Sequence, residues 1–264
     1  MKAAQFLPAE PLRPFIKTFM IIESEGATDS KVLPDTALVM AFRCRGKVLN
    51  QGDCDGNEAR KLSSLVAPWV ISGLQKTPKF LHYSGGTINL LVIFREGGPA
   101  AFFREPLHLF SGITLSLDNL FPRRILMDME EQLGEAGSDA ERIALAEGFF
   151  LSRLIHPEPD LLIQTAIHRI RSVNGMLRIK DLFSGLYISK DAFEKRFRRI
   201  VGTTPKQYAS LVRWRHLLNY YSGDENLTAL AYRAGYFDQA HFIKDFRAFT
   251  GMTPAAFFGS PHRG

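Results

Sequence analysis

Apolar residues recur along this chain with two periods, and the change from one to the other divides it. Between residues 31 and 94 they come in short runs or alternate with polar ones, at 37–42, 47–49, 65–66, 69–71, 79–83 and 88–94. Pro34-Asp35, Gln51-Gly52-Asp53, Asp55-Gly56-Asn57 and Gly85-Gly86 punctuate the runs. Such spacing predicts antiparallel strands assembled into a sandwich or barrel, with 88–94 as the clearest strand. Ahead of them, residues 11–22 read as a short helix of mixed character.

After Gly97-Gly98-Pro99 the period lengthens. Helices are expected at about 100–109, 121–133 and 139–155, the last capped by Asp139, whose carboxylate can accept from free N–H groups of the first turn. In the last helix Ile143, Leu145, Ala146, Phe149, Phe150 and Leu154 form an apolar stripe at helical spacing. His156-Pro157-Glu158-Pro159-Asp160 then stops helix propagation, because each proline lacks an N–H and restricts its predecessor. Asp160 caps a new helix with an inner face of Ile163, Ala166, Ile167 and Ile170, ending at Asn174-Gly175.

Beyond that point a unit is repeated. Phe193, Phe197, Arg198 and Gly202 return 49 positions later as Phe242, Phe246, Arg247 and Gly251, and Pro205 and Tyr208 return as Pro254 and Phe257. Each copy reads as a bracing helix, a turn and a second helix, the plan of a helix-turn-helix. In the first copy Ile179, Leu182, Phe183 and Leu186 brace, Tyr187-Ile188 turn, and Ser189 caps. In the second, Leu227, Leu230, Ala231 and Ala234 brace, Gly235-Tyr236-Phe237 turn, and Asp238 caps. A largely apolar helix over 205–222 joins the copies.

Charge follows the same division. Residues 161–264 hold 16 Lys and Arg against 7 Asp and Glu, a net +9, while residues 1–160 hold 17 against 20, a net −3. A basic segment behind an acidic one points to a polyanion partner for the C-terminal part alone. Two cysteines, Cys44 and Cys54, do not make a disulfide framework, and no apolar run is long enough to span a membrane, so a cytoplasmic protein is expected. His82 and His108 stand apart from other metal-ligating residues. Gly97-Gly98 lacks the spacing of a phosphate-binding loop, and no nucleophile–base set stands out, so no catalytic residue, metal or cofactor is expected.

Residues 227–247, Leu-Thr-Ala-Leu-Ala-Tyr-Arg-Ala-Gly-Tyr-Phe-Asp-Gln-Ala-His-Phe-Ile-Lys-Asp-Phe-Arg, closed by Gly251-Met252-Thr253-Pro254, carry a specific resemblance. The segment from about 164 to 258 resembles the DNA-binding domain of the AraC/XylS family of bacterial transcription regulators. Val32-Leu33-Pro34-Asp35 and residues 94–102, Phe-Arg-Glu-Gly-Gly-Pro-Ala-Ala-Phe, resemble the regulatory domain of some members, so the likeness spans nearly the whole chain. It implies an α+β multidomain chain. An N-terminal β-barrel or cupin-like domain with accessory helices (1–156, β-rich over 31–94, helical over 100–155) is followed by a linker (157–160). An all-α domain (161–264) then carries two helix-turn-helix motifs (179–201 and 227–250).

The resemblance also implies one chain reading two successive major-groove segments of promoter DNA. The residues carried to the DNA face are Lys190, Asp191, Glu194, Lys195 and Arg198 in the first copy. In the second they are Gln239, Ala240, His241, Ile243, Lys244 and Arg247. Tyr187 and Phe237 depart from the family pattern at the two turns, and Asp191 and Glu194 bring carboxylates to a face meant for phosphate. A small-molecule effector, a second copy of the chain and RNA polymerase are the other expected partners. Phe42, Trp69, Phe80, Tyr83 and Phe94 are the large side chains available to wall an effector pocket. Two rival readings remain: a regulator whose N-terminal domain only dimerises or binds a protein, and a β-barrel enzyme with a helical tail.

Overall fold

The computed structural model of the chain describes residues 1–52, 64–156, 158–183, 188–220, 227–236 and 238–259. Ten strands occupy the described N-terminal part: β1 (Lys2–Phe6), β2 (Ile16–Ser24), β3 (Thr28–Val32), β4 (Val39–Arg45), β5 (Val48–Asn50), β6 (Ser64–Leu65), β7 (Trp69–Ser72), β8 (Lys79–Tyr83), β9 (Thr87–Phe94) and β10 (Thr114–Ser116). They pair antiparallel in two sheets, ordered β1-β2-β9-β4-β7-β10 and β3-β8-β5-β6. The β-rich region is as expected, but it is built as two facing sheets rather than one closed barrel, and it begins at residue 2 rather than 31.

The helix expected over 11–22 is a 3-10 turn (Glu10–Leu12) followed by β2. Pro14 interrupts helical hydrogen bonding, and Ile16, Thr18, Ile21 and Ile22 are β-branched residues that suit a pleated strand between two partners. The helix expected over 100–109 is likewise two 3-10 turns, Gly98–Ala101 and Leu107–Phe110, separated before Pro106.

Register assigns the two faces of the larger sheet. Phe42 lies opposite Leu90 and Trp69, and Met40 opposite Val92 and Ile71. All six are buried. This face meets helix α1 (Arg123–Glu135), which buries Leu126, Met129 and Leu133, and helix α2 (Asp139–Leu151) through aromatic contacts, with Phe42 5.6 Å from Phe149 and Phe94 5.7 Å from Phe150. Ser138, not Asp139, caps α2, its hydroxyl accepting from Glu141 N–H. The other face carries Met20, Val39, Ala41, Leu91 and Ile93, all half-buried, with buried Arg43 and Asn89. It looks toward the smaller sheet, from which Lys79 reaches across to the hydroxyls of Ser72 (3.0 Å) and Thr114. The five aromatic residues proposed as a pocket wall therefore do not converge. Phe42, Trp69 and Phe94 belong to the helix-facing core, Tyr83 lies near Arg43 and Asn89, and Phe80 holds Lys31 on its ring face at 5.5 Å.

Seven helices make up the described C-terminal part: α3 (Leu161–Ser172), α4 (Ile179–Leu182), α5 (Lys190–Val201), α6 (Pro205–Tyr220), α7 (Leu227–Arg233), α8 (Gln239–Thr250) and α9 (Pro254–Gly259). Asp160 caps α3 by accepting from Ile163 N–H, and Asn174 and Gly175 end it with positive φ angles of 51° and 74°. The α6 helix lies between the two copies. Tyr208, wholly buried, meets Phe197 at 5.8 Å; one and a half turns on, Trp214 stacks on Phe249 at 5.3 Å and meets Phe246 edge-on at 5.2 Å.

Burial holds the Lys79 amine near pH 8 instead of 10.5. The unfolded chain thus binds more protons than the folded one between about pH 8 and 10.5, so this group makes stability rise with pH across that window and costs stability below it. Lys79→Met is expected to raise the urea midpoint at pH 7 and to flatten the rise above pH 8; parallel profiles for the two proteins would contradict this.

Candidate nucleic-acid interface

The two repeat units start and stop in the same way. Ser189 is extended (φ −66°, ψ 152°) and its hydroxyl accepts from Ala192 N–H at 3.3 Å. Asp238 is extended (φ −144°, ψ 162°) and its carboxylate accepts from His241 N–H at 2.7 Å. Each oxygen satisfies a first-turn donor that the helix itself leaves unpaired. Gly202 and Gly251 end the helices at positive φ, 93° and 71°. At Gly202 a side chain would also press on the carbonyl of Leu107, 3.2 Å from an added Cβ. The turn residues Tyr187 and Phe237 lie outside the described residues.

Inner faces are apolar in both units: Phe193, Phe197 and Val201 in α5, and Phe242, Phe246 and Phe249 in α8. Outer faces differ. On α5, Lys190, Asp191, Lys195 and Arg198 are exposed and Glu194 is half-buried. The adjoining flank, Ala192, Lys195, Arg196, Arg199 and Ile200, lines a cavity of about 1160 Å³ shared with Gly97, Phe103 and Arg104 of the N-terminal part. Arg196 is tied there to Asp160 at 2.7 Å. Lys195 therefore stands between the candidate DNA face and the N-terminal part.

On α8 the outer stripe is Ala240, Ile243, Lys244, Arg247 and Ala248, at i, i+3, i+4, i+7 and i+8, around a shallow hollow of about 590 Å³. Ala248 was missed from sequence, although its spacing from Ala240 places it on the stripe. Gln239 and His241 flank that stripe and already have internal partners. Thr228 donates to the Gln239 amide oxygen at 3.4 Å, and His241 Nε2 lies 3.7 Å from Asp245 Oδ2. Among the described residues no ion pair engages Lys190, Lys195, Arg198, Lys244 or Arg247, leaving five cations for a partner.

The helical part is joined to the sheets by polar contacts at two loops. Glu96, whose side chain is only 13% exposed, accepts from Thr36 Oγ1 at 2.8 Å and pairs with Arg171 of α3. Its backbone carbonyl accepts from Gln164 Nε2 at 3.1 Å, and Arg215 of α6 lies 3.4 Å from Asp35. Burial, then the Glu96 carboxylate, pushes the Tyr208 phenol far above its usual range.

Residues 184–260 match the model of a helix-turn-helix domain, and residues 4–116 that of a domain of unknown function, DUF6597. Residues of this chain are also similar to the HTH-type transcriptional activator RhaS of Salmonella typhimurium, 26% identical over 145 residues, half of this chain and 51% of RhaS. The C-terminal part of the chain thus carries a helix-turn-helix domain. The chain spans about half the length of the curated relatives it matches.

Among solved structures, the superposition on ToxT of Vibrio cholerae, crystallised with (E)-4-(8-methylnaphthalen-1-yl)but-3-enoic acid, covers 90% of this chain and 96% of that one at 14% identity and a TM-score of 0.45. That on the AraC-like transcriptional activator CuxR covers 83% and 81% at 15% identity and a TM-score of 0.29.

The stretches around Asp35 and Glu96 are among the places where the two parts meet. Glu96→Ala leaves Arg171 half-exposed to water rather than stranded, so the expected loss is about 1–2 kcal/mol, below that of a fully buried pair. A urea midpoint unchanged by Glu96→Ala would show that the pair contributes nothing to the junction.

Proposed function

We propose that this protein is a bacterial transcription regulator, not an enzyme, that binds promoter DNA sequence-specifically in the cytoplasm. Residues 161–264 form the DNA-binding domain, residues 1–156 the regulatory and dimerisation domain, and 157–160 the linker. The observation that carries this reading is the doubled helix-turn-helix around α6, each second helix capped, apolar inside and bearing outside cations that no ion pair engages among the described residues. Lys190, Lys195, Arg198, Lys244 and Arg247 supply the phosphate attraction. Gln239, Ala240, His241 and Ile243 face base edges in one groove segment, and Asp191 and Glu194 temper the other.

Binding of this kind releases counterions, so affinity falls steeply with salt, the log–log slope being about −0.9 per phosphate neutralised. Lys244→Ala and Arg247→Ala are each expected to weaken binding and to reduce the slope by about 1 in fluorescence-anisotropy titrations. Equal affinity for a selected duplex and for random DNA at physiological salt would sink the proposal. Glu194→Gln is expected to tighten binding through the first unit by removing a carboxylate from a phosphate-facing helix; an unchanged affinity and base preference would take Glu194 off that face.

Regulation would come from the N-terminal domain, by a small molecule that changes how the parts or protomers are arranged. Support for a ligand between the sheets comes from the half-buried Met20, Val39, Ala41, Leu91 and Ile93, and from the buried Arg43 Nε and Asn89 Oδ1, which have no hydrogen-bond partner among the described residues. A second reading, a domain that only dimerises, is favoured by β1. It is an edge strand whose residues are mostly exposed, a surface that can pair with another copy. RNA polymerase is the further protein partner of either form.

A further inference from the structure

The geometry points to the second helix-turn-helix reading thymine by its methyl group, through Ala240 and Ile243. This rests on the DNA-binding reading above and specifies what that helix recognises. The N-terminal half of the outer stripe of α8 is apolar: Ala240 is exposed, Ile243 half-buried, and both border the hollow with Lys244 and Arg247. Ile243 packs its inner side against the core and leaves the rest beside the exposed methyl of Ala240, an apolar spot that a partner with apolar surface would cover. In the major groove the C5-methyl of thymine is the apolar group of the four base pairs.

The neighbouring polar groups do not compete for that position. A glutamine reads adenine with its amide oxygen and nitrogen together, and here Thr228 already donates to the Gln239 oxygen. His241 leans on Asp245 and sets its ring edge-on to Tyr236 at 5.3 Å. Each is exposed but has one polar atom engaged within its own domain. Isoleucine in a helix has one strongly preferred χ1 rotamer, so Ile243 presents a fixed methyl surface at little entropic cost. Lys244 and Arg247, adjoining on the same stripe, supply the cations that would hold the helix against the phosphates on either side. The stripe from Ala240 to Ala248 runs about 12 Å along the axis, comparable with the width of the major groove.

The test uses the full chain and duplexes selected from a random double-stranded library. Each thymine of the selected sequence is replaced in turn by uracil, which keeps the pairing and the O4 acceptor and removes only the methyl. At one or two adjacent thymines the expected loss is about fourfold in affinity per methyl. Ile243→Ala should lose a similar factor on the thymine duplex and be insensitive to uracil at the same position. Ala240→Gly, at an exposed site, gives a second variant should Ile243→Ala unfold. Selection of a defined sequence with no uracil effect at any position overturns the inference while leaving DNA binding intact. So does uracil sensitivity that persists undiminished in both variants. Failure to select any sequence overturns the DNA-binding reading itself, and this inference with it.

Discussion

Everything in the C-terminal part depends on two aromatic side chains of one helix. Tyr208 and Trp214 of α6 are almost wholly inaccessible and lie six residues apart. Tyr208 meets Phe197 of α5, and Trp214 is wedged against Phe246 and Phe249 of α8. Packed aromatic pairs at these distances add specific edge-to-face and offset contacts to a large burial of apolar area. Because α6 is a single helix, the separation of the two anchors is fixed by the rise per residue. Two recognition units held by one rigid element cannot drift independently, which is what a protein reading two successive groove segments needs.

The repeat is symmetrical inside and asymmetrical outside. Both second helices share caps, phenylalanine stripes and left-handed glycine ends. Yet α5 has one flank committed to the N-terminal part, where Gly202 lies under Leu107 and Arg196 is held by Asp160. The outer stripe of α8 borders a hollow lined by its own residues. A rearrangement at the junction would therefore be felt by α5 along its flank, through Ile200, Arg199 and Lys195, and by α8 at its C-terminal end, where Lys31 reaches Met252 and the Phe257 ring.

At that junction the polar groups carry direction rather than much energy. Glu96 gathers Thr36, Arg171 and, through its carbonyl, Gln164, while Asp35 approaches Arg215. Such half-exposed pairs contribute modestly to stability, but each has one geometry in which it is satisfied. That combination suits an interface that must hold a particular arrangement and still be able to leave it.

Much of this was legible in the chain. The 49-residue repeat, the caps Ser189, Asp160 and Asp238, and the inner stripes follow from helical periodicity and from the few residues whose side chains can accept at a helix start. Local chemistry also sufficed for the chain reversal at Asn174-Gly175. It did not suffice at residues 11–22, where mixed apolar spacing is compatible with either period, and pairing of β2 with both β1 and β9 decided for a strand. Nor could alternation alone say which face of β4, β7 and β9 is covered. Only the packing of α1 and α2 turned Phe42, Trp69 and Phe94 into core and left Val39, Ala41, Leu91 and Ile93 facing the second sheet. The same holds for the outer face of α8. The resemblance placed Gln239, Ala240, His241, Ile243 and Lys244 alike on the reading face. The tertiary structure supplied partners for Gln239 and His241, in Thr228 and Asp245, and added Ala248 to the stripe that holds Ala240 and Ile243. A side chain's type is written in the chain, but whether its hydrogen-bonding capacity is already used depends on residues that only folding brings beside it.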